Sequence, residues 1–116
     1  SLLKKLKNVH ILGSIPYAKI PAFLYNCQVG IIPFSVKDYP ELVNSINPLK
    51  MYEYLACGLR VVSVEWDQIK DMSDYVYFAC NSDSFLNCIE SREATQRFHL
   101  EHVTWNGKLS TLLKDL

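Results

Sequence analysis

The stretch "NPLKMYEYLACG" combines polar residues with a pattern of apolar positions that predicts a helix over 48–57. Asn47 is a preferred N-cap and Pro48 suits the first helical position, so Leu49 and Lys50 would present free backbone N–H groups. Such a helix start carries about half a positive charge and binds anions. Because Lys50 opposes that dipole, it indicates either an anionic partner or a side chain in solvent.

Glu53 adds a carboxylate to the second turn of this helix. It lies about 9 Å beyond Asn47, at ~1.5 Å per residue. A diphosphate held at the helix start would bring an attached ribose close to Glu53, and an ionised carboxylate makes strong hydrogen bonds to vicinal hydroxyls. The alternative is a surface pair with Lys50, three residues earlier, worth about 0.2–0.5 kcal/mol.

Other residues that are able to do chemistry give weaker signals. His99 and His102 lie three residues apart without a third ligand, so we expect no metal site. Asp38 and Glu41, in the polar segment 35–46, face either a ligand or solvent. The sequence has no phosphate-binding glycine loop and no serine nucleophile elbow, and no residue stands out as a catalytic base.

Composition limits the classes of protein that remain. A chain of 116 residues, 49% of them hydrophobic, suits one globular domain. Twelve basic residues balance twelve acidic ones, which argues against nucleic-acid binding and against a polybasic membrane patch. The apolar runs are too short to span a bilayer, and no signal peptide opens the chain. The spacing of the cysteines matches no zinc site, which predicts reduced, buried thiols in a cytoplasmic protein. These cysteines are Cys27, Cys57, Cys80 and Cys88.

Strand-like and helical patterns alternate along the chain. We expect strands over 8–13, 28–34, 60–64 and 75–80. Helices are expected over 15–27, 48–57 and 104–116, with one or two more over 82–103. Loops are expected over 35–46 (with one helical turn around 40–44) and 65–74. Ser82 or Asp83 would cap the third helix. This order predicts right-handed βαβ units, hence an α/β fold with a mostly parallel sheet. Because the strand runs are almost continuously apolar, we expect helices on both faces of the sheet.

Three runs in this order resemble one family of enzymes: "NVHILGSIPYAKIPAFLYNCQVGIIPF", "NPLKMYEYLACGLRVVSV" and "HVTWNGKLSTLLKDL". Together they are similar to the C-terminal half of GT-B glycosyltransferases of the family 4 or family 1 type. The form "NPLK" followed by "EYLA" resembles the bacterial branch that builds surface polysaccharides. The resemblance implies that residues 1–116 form one Rossmann-like, donor-binding domain without its first strands, with a parallel sheet flanked by helices.

In that family the nucleotide-sugar donor binds to this domain, and two glutamates eight positions apart mark the site. Glu53 matches the second glutamate, which contacts the ribose. The first falls on Ser45, so the Ser45 hydroxyl or Asn47 would take over the contact with the donor sugar. Gly58 matches the glycine of the helix–strand turn, and Arg60 stands where the family usually has proline. The stretch that approaches the sugar and the diphosphate matches Ile46, Asn47, Leu49 and Lys50.

The resemblance also implies parts that this chain lacks, namely upstream basic residues for the diphosphate and an N-terminal acceptor-binding domain. The full-length protein would transfer a sugar from a nucleoside diphosphate sugar to an acceptor, without metal or cofactor, and the isolated domain would be inactive. It would lie in the cytoplasm, with peripheral membrane association through the missing domain. Two alternatives stay open: a non-catalytic binding module of the same fold, and an epimerase that acts on a nucleotide sugar.

Overall fold

The elements that position the predicted site lie within residues 2–91, which are the residues that the computed structural model describes. In chain order they are α1 (Ile20–Tyr25), β1 (Val29–Ile32), α2 (Pro40–Ser45), α3 (Leu49–Ala56), β2 (Arg60–Ser63), β3 (Val76–Phe78) and α4 (Ser82–Glu90). Short 3-10 turns span Leu2–Lys5, Tyr17–Lys19 and Lys70–Met72. The helix predicted over 104–116, the later part of the helix predicted over 82–103, and His99 and His102 lie outside the described residues.

The three strands form one parallel sheet in the order β1–β2–β3. Val29 of β1 pairs with Arg60 of β2, and Val61 of β2 pairs with Val76 of β3. The chain passes from β1 to β2 through α2 and α3, and from β2 to β3 through the 3-10 turn at Lys70–Met72. The predicted α/β fold with a parallel sheet flanked by helices is therefore confirmed, as a Rossmann-like fragment.

The sheet is covered unequally. Every residue of β2 is buried, so both faces of this central strand are covered. On β1, Gly30 and Ile32 are buried, whereas Ile31 on the opposite face is 48% exposed. Within residues 2–91, both faces are therefore covered along β2, and the cover of β1 is incomplete at Ile31. On the Gly30 face of β1, the Tyr54 ring of α3 provides the cover.

Packing between α3 and β1 depends on Gly30. The Tyr54 ring of α3 lies so close that a methyl group on Gly30 would stand 2.7 Å from Cγ of the ring and 2.8 Å from Cε2. Carbon atoms in a close-packed interior do not approach to such distances, so the strand needs glycine at this contact. The buried core continues around it with Ile32, Val43, Met51, Leu55, Val61, Trp66, Ile69, Met72 and Val76.

The C-terminal end of α3 is closed by a Schellman motif. Gly58 has a φ of 79°, in the left-handed region, and its N–H donates to the Leu55 carbonyl at 3.0 Å. The Leu59 N–H donates to the Tyr54 carbonyl, also at 3.0 Å. These bonds satisfy carbonyls that a helix end would otherwise leave free. Gly58 therefore has the structural role that the sequence predicts.

Two predicted features differ from the structure. Residues 8–13 are largely exposed and form no strand with any other described residue. An apolar run becomes a strand only beside a ladder partner, and this run does not pair with β1. The cap of α4 is Asn81 and not Ser82 or Asp83, because the Asn81 side chain accepts the Ser84 N–H while the Ser84 hydroxyl accepts the Asn81 N–H.

Arg60 is buried at the start of β2, with 8% of its surface exposed. Its guanidinium lies 5.5 Å from the centre of the Tyr77 ring on β3, and Nη1 donates to the Ser91 carbonyl at the end of α4. A cation is favourable both over an aromatic face and at a helix C-terminus. The arginine that stands where proline was expected therefore joins β2, β3 and α4 at the amino end of the sheet.

All four cysteines are free thiols, but none of them is buried. Cys80 is exposed and the other three are half-buried, so the prediction of buried thiols is wrong. The reason is position: Cys57 is the residue after the last turn of α3 and Cys80 follows β3, where packing against the core ends. Separately, the helices of residues 2–91 include none with the length and apolar character needed to cross a bilayer.

Candidate functional site

A cleft opens where β1 ends and α3 begins. It has a volume of about 220 Å³ and is lined by Ile32, Phe34, Ile46, Asn47, Pro48, Leu49 and Lys50. In open α/β sheets, ligands bind outside the carboxyl ends of the strands. Four of the six residues predicted for the site therefore lie together, at the edge of the sheet where a ligand is expected.

The start of α3 differs from the prediction. Pro48 is the N-cap, with φ −85° and ψ 74°, and no side chain caps the helix. The helix begins one residue later than expected because this ψ is not helical, so Asn47 is not the cap. The Leu49 N–H donates to the Asn47 carbonyl at 3.0 Å and is not free, whereas the Lys50 N–H has no acceptor within residues 2–91. One free N–H group, not two, faces the ligand position.

Lys50 brings positive charge to this cleft. Its side chain is exposed, which fits both a role toward an anion and the alternative of a side chain in solvent. Within residues 2–91 no ion pair joins it to Glu53, so the surface pair that was the alternative for Glu53 does not form. Its neighbour Leu49 is 67% exposed at the rim. The Lys50 ammonium and N–H group, together with the helix dipole, can therefore act on an anion in the cleft.

Glu53 lies beside a different cavity, farther along α3. This cavity has a volume of about 350 Å³ and is lined by Tyr17, Ile20, Pro21, Leu24, Glu53, Ala56 and Cys57. Glu53 is half-buried, and its carboxylate makes no hydrogen bond or ion pair to another described residue. Tyr17 is 80% exposed, so an aromatic face and an acceptor without a partner border one largely apolar pocket.

Tyr54, next to Glu53, has a shifted titration. Burial raises the pKa of its hydroxyl, and the nearby Glu53 and Cys27 raise it further. An ordinary tyrosine hydroxyl already loses its proton only near pH 10. Tyr54 is therefore neutral in the folded protein at neutral pH, and its ring serves to pack α3 onto Gly30.

Ser45 stands outside the cleft. Its hydroxyl donates to the Leu42 carbonyl at 2.7 Å, inside the last turn of α2. It lines neither the cleft nor the cavity beside Glu53, whereas Asn47 lines the cleft. Of the two residues expected to replace the missing glutamate, the geometry favours Asn47.

Two aromatic residues that support the cleft were missed by sequence reasoning. Phe34 lines the cleft directly, and Trp66 lies behind it with 3% of its surface exposed. The two ring centres are 5.3 Å apart at an angle of 45°. A single tryptophan among charged residues, in "VEWDQIKD", was the available signal, because so large an apolar side chain seldom stays in solvent.

A third cavity, of about 490 Å³, lies at the carboxyl ends of all three strands, with Phe34, Lys37, Glu65, Phe78, Cys80 and Ser84 among its lining residues. Its hydroxyl groups are engaged within the protein. Ser35 donates to the Asp38 carboxylate at 2.5 Å, and the Ser84 hydroxyl accepts the N–H groups of Cys80 and Asn81. The cleft at α3 differs in that its lining residue Lys50 has a backbone N–H group without an acceptor within residues 2–91.

The remaining acidic candidates lie away from the cleft. Asp38 accepts the Ser35 hydroxyl, and Glu41 is exposed in the first turn of α2. Neither residue lines the cleft or the cavity beside Glu53. In the part of the chain that the structure describes, no three His, Cys, Asp or Glu residues lie close enough together to hold a metal ion.

Comparison with known proteins supports a relationship to glycosyltransferases. Over 92 residues, the chain is 28% identical to "Putative teichuronic acid biosynthesis glycosyltransferase TuaH" of Bacillus subtilis (strain 168). The alignment covers 78% of this chain and 22% of that protein, so the chain spans about a fifth of the length of its relative. No protein-family model matches the chain, and no solved structure is significantly similar to it.

Proposed function

We propose that this chain is the donor-binding part of a glycosyltransferase that transfers a sugar from a nucleoside diphosphate sugar to an acceptor. The observation that carries the proposal is the arrangement along α3. Its start opens into a cleft with the Lys50 cation and an N–H group without an acceptor, and Glu53 one turn later faces a second cavity. A nucleoside diphosphate has its charge, its ribose hydroxyls and its base in that same order.

The diphosphate occupies the start of α3 in this proposal. The Lys50 ammonium and N–H group, with the helix dipole, hold its negative charge. The same groups stabilise the diphosphate as it leaves the sugar, because charge on the leaving oxygen grows during the transfer. Upstream basic residues of a complete donor domain would add to this effect.

The nucleoside lies along the second turn. The Glu53 carboxylate accepts hydrogen bonds from the two ribose hydroxyls, and it is available for them because it makes no hydrogen bond or ion pair within residues 2–91. The base enters the adjoining cavity, where the exposed Tyr17 ring and the apolar surface of Ile20 and Leu24 suit a flat heterocycle.

The donor sugar lies nearest to Ile46, Asn47 and Leu49 in the cleft. Asn47 is the residue there whose side chain is able to exchange hydrogen bonds with sugar hydroxyls. Ser45 contributes by ending α2 and not by touching the sugar, because its hydroxyl is engaged with Leu42.

The wider setting follows the resemblance of the sequence to GT-B enzymes and the name of the Bacillus relative. We infer that this chain is the C-terminal half of a GT-B fold, with an acceptor-binding domain elsewhere in the protein. The product would be a bacterial surface polysaccharide or glycoconjugate, made in the cytoplasm at the inner face of the membrane. No metal or cofactor takes part in this scheme.

Titration calorimetry of the protein with UDP, GDP and ADP tests the proposal. We expect one of these nucleotides to bind. Because charge-assisted hydrogen bonds are worth about 1.5–3 kcal/mol, Lys50→Ala and Glu53→Gln should each weaken that binding roughly tenfold or more. Lys70→Ala is the matched control, because Lys70 is exposed and lines none of the three cavities.

Inorganic pyrophosphate separates the two roles. It should compete with the nucleotide and lose affinity in Lys50→Ala but not in Glu53→Gln, because it has no ribose. Absence of binding by all three nucleotides, or equal losses in Lys50→Ala and in the Lys70→Ala control, would overturn the proposed function.

A further inference from the structure

Trp66 connects the loop after β2 to the wall of the cleft at α3. It is buried, and its indole Nε1 donates to the Ile46 carbonyl at 3.1 Å. Ile46 is the residue that joins α2 to the Asn47–Lys50 segment, and it lines the cleft. The Ile46 carbonyl is therefore directed at a buried side chain 20 residues away in the sequence.

A second bond fixes the same junction from the same loop. The Asp67 N–H donates to the Asn44 side-chain oxygen at 3.0 Å. The two neighbours Trp66 and Asp67 thus hold both Asn44 and Ile46, which immediately precede the cleft segment. Without the indole N–H, the Ile46 carbonyl would lose its hydrogen-bond partner in a part-buried position. An unpaired buried carbonyl raises the free energy of the folded state, so a different orientation of this carbonyl would be favoured.

The Trp66 ring also contacts a second residue that lines the cleft. It packs against Phe34 with ring centres 5.3 Å apart, and Phe34 lines both the cleft and the third cavity. Trp66 itself lines neither of them. A single side chain outside the cleft therefore contacts two of its lining residues, Phe34 and Ile46.

We propose that Trp66 is a positioning residue for the cleft. Its N–H holds the Ile46 carbonyl and its ring holds Phe34, so that Asn47, Leu49 and Lys50 keep the arrangement that accepts a diphosphate sugar. This role rests on the proposed function for its ligand, but the local ordering of the Asn47–Lys50 backbone follows from the contacts alone.

Trp66→Phe tests this role because it removes the N–H donor and keeps an aromatic ring. Val76→Ala is the control: it also creates space in the core, but Val76 lies on β3 and lines neither the cleft nor the other two cavities. Hydrogen exchange of the backbone amides, measured by NMR under native conditions without ligand, should rise about three- to tenfold in Trp66→Phe at Leu49, Met51 and Tyr52, whose N–H groups donate to the Asn47 and Pro48 carbonyls. This is the range expected for one lost hydrogen bond. In Val76→Ala any rise should be spread over the sheet.

Nucleotide affinity gives the second readout. At a temperature where both variants are folded, Trp66→Phe should bind the nucleoside diphosphate roughly three- to tenfold more weakly, and Val76→Ala should bind it like the original protein. Unchanged exchange at Leu49, Met51 and Tyr52, or exchange that rises evenly through the sheet in Trp66→Phe, would overturn the positioning role. If the original protein binds no nucleotide, the proposed function fails, and the exchange pattern alone decides the role of Trp66.

Discussion

The two ends of α3 differ in how many of their backbone N–H groups have a hydrogen-bond acceptor within the protein. At the C-terminal end, the N–H groups of Cys57, Gly58 and Leu59 all donate to carbonyls of the helix. At the N-terminal end there is no side-chain cap, and the Lys50 N–H has no acceptor within the described residues. The C-terminal end is therefore closed by hydrogen bonds within the protein, and the N-terminal end remains open toward the cleft.

This difference separates the residues that build the fold from those available for chemistry. Tyr54 and Gly58 belong to the closed half, where Tyr54 packs on Gly30 and Gly58 turns the chain into β2. Lys50 belongs to the open half and is exposed. Changes in the closed half should therefore act on stability, and changes in the open half should act on binding.

The largest effect on stability should come from Gly30→Ala. The added methyl group would overlap the Tyr54 ring, and the ring belongs to a packed helix that cannot simply move away. We expect the free energy of unfolding to fall by about 3 kcal/mol, at the upper end of the usual range for overpacking. Urea unfolding followed by circular dichroism measures this change.

The double variant Gly30→Ala with Tyr54→Ala distinguishes a clash from a backbone effect. If the clash is the cause, Gly30→Ala should lower the free energy of unfolding much less in the Tyr54→Ala background than alone, because the ring is absent there. Equal costs in both backgrounds would show that the Tyr54 contact does not explain the glycine.

A smaller loss is expected for Gly58→Ala. An alanine at a φ of 79° suffers the steric penalty of the left-handed region, so unfolding free energy should fall by about 1–2 kcal/mol. Gly13→Ala is the matched control, because Gly13 has a φ of 72° but ends no helix and has open space around its Cα. A change in nucleotide affinity of folded Gly58→Ala would contradict the separation of the two halves.

The smallest effect should appear in alkaline solution. Below about pH 10 the Tyr54 hydroxyl keeps its proton in both the folded and the unfolded chain, so it adds no pH dependence. Above that value the unfolded chain loses the proton first, because burial and then Glu53 raise the pKa in the folded state. Stability should therefore fall as the pH rises from about 10 through the raised pKa of Tyr54.

Tyr54→Phe isolates this contribution because it removes the hydroxyl and keeps the ring over Gly30. The difference in unfolding free energy between Tyr54→Phe and the original protein should be constant below about pH 10 and move in favour of Tyr54→Phe above it. A difference that stays constant across this range would show that the Tyr54 pKa is not raised.

Local patterns predicted the elements that hold the site. The bounds of α3 follow from an Asn-Pro start and a glycine end, and β1 and β2 follow from short apolar runs. Lys50 and Glu53, which spacing placed on one stripe of α3, border two different cavities. The roles assigned to these residues remain predictions.

What escaped prediction depends on distant partners. Residues 8–13 have the composition of a strand, but a strand needs a neighbour that no local pattern supplies. The need for glycine at position 30 of β1 also has no local signal, because it comes from the tertiary contact with the Tyr54 ring. The role of Trp66 was likewise not predictable from local patterns, because its partner Ile46 is 20 residues away in the sequence.

Helix caps were predicted only in part from the local sequence. The capping box of Asn81 with Ser84 was available in the local sequence, among several residues that are able to cap. At α3, the predicted cap Asn47 fails because Pro48 adopts a non-helical ψ. That shift of one residue is what leaves the start of the helix without a side-chain cap and open to a ligand.

The most direct test of this account is an NMR titration of the protein with the nucleoside diphosphate that binds best. Amide signals should shift at Asn47 and over Leu49–Glu53, with the Lys50 amide moving most because its N–H donates to a phosphate oxygen. The amides of Gly58 and Leu59, which line neither the cleft nor the cavity beside Glu53, should stay in place. Shifts centred on Lys37 and Cys80 in the third cavity, or on Gly58 and Leu59, would contradict the claim that the open start of α3 is the donor site.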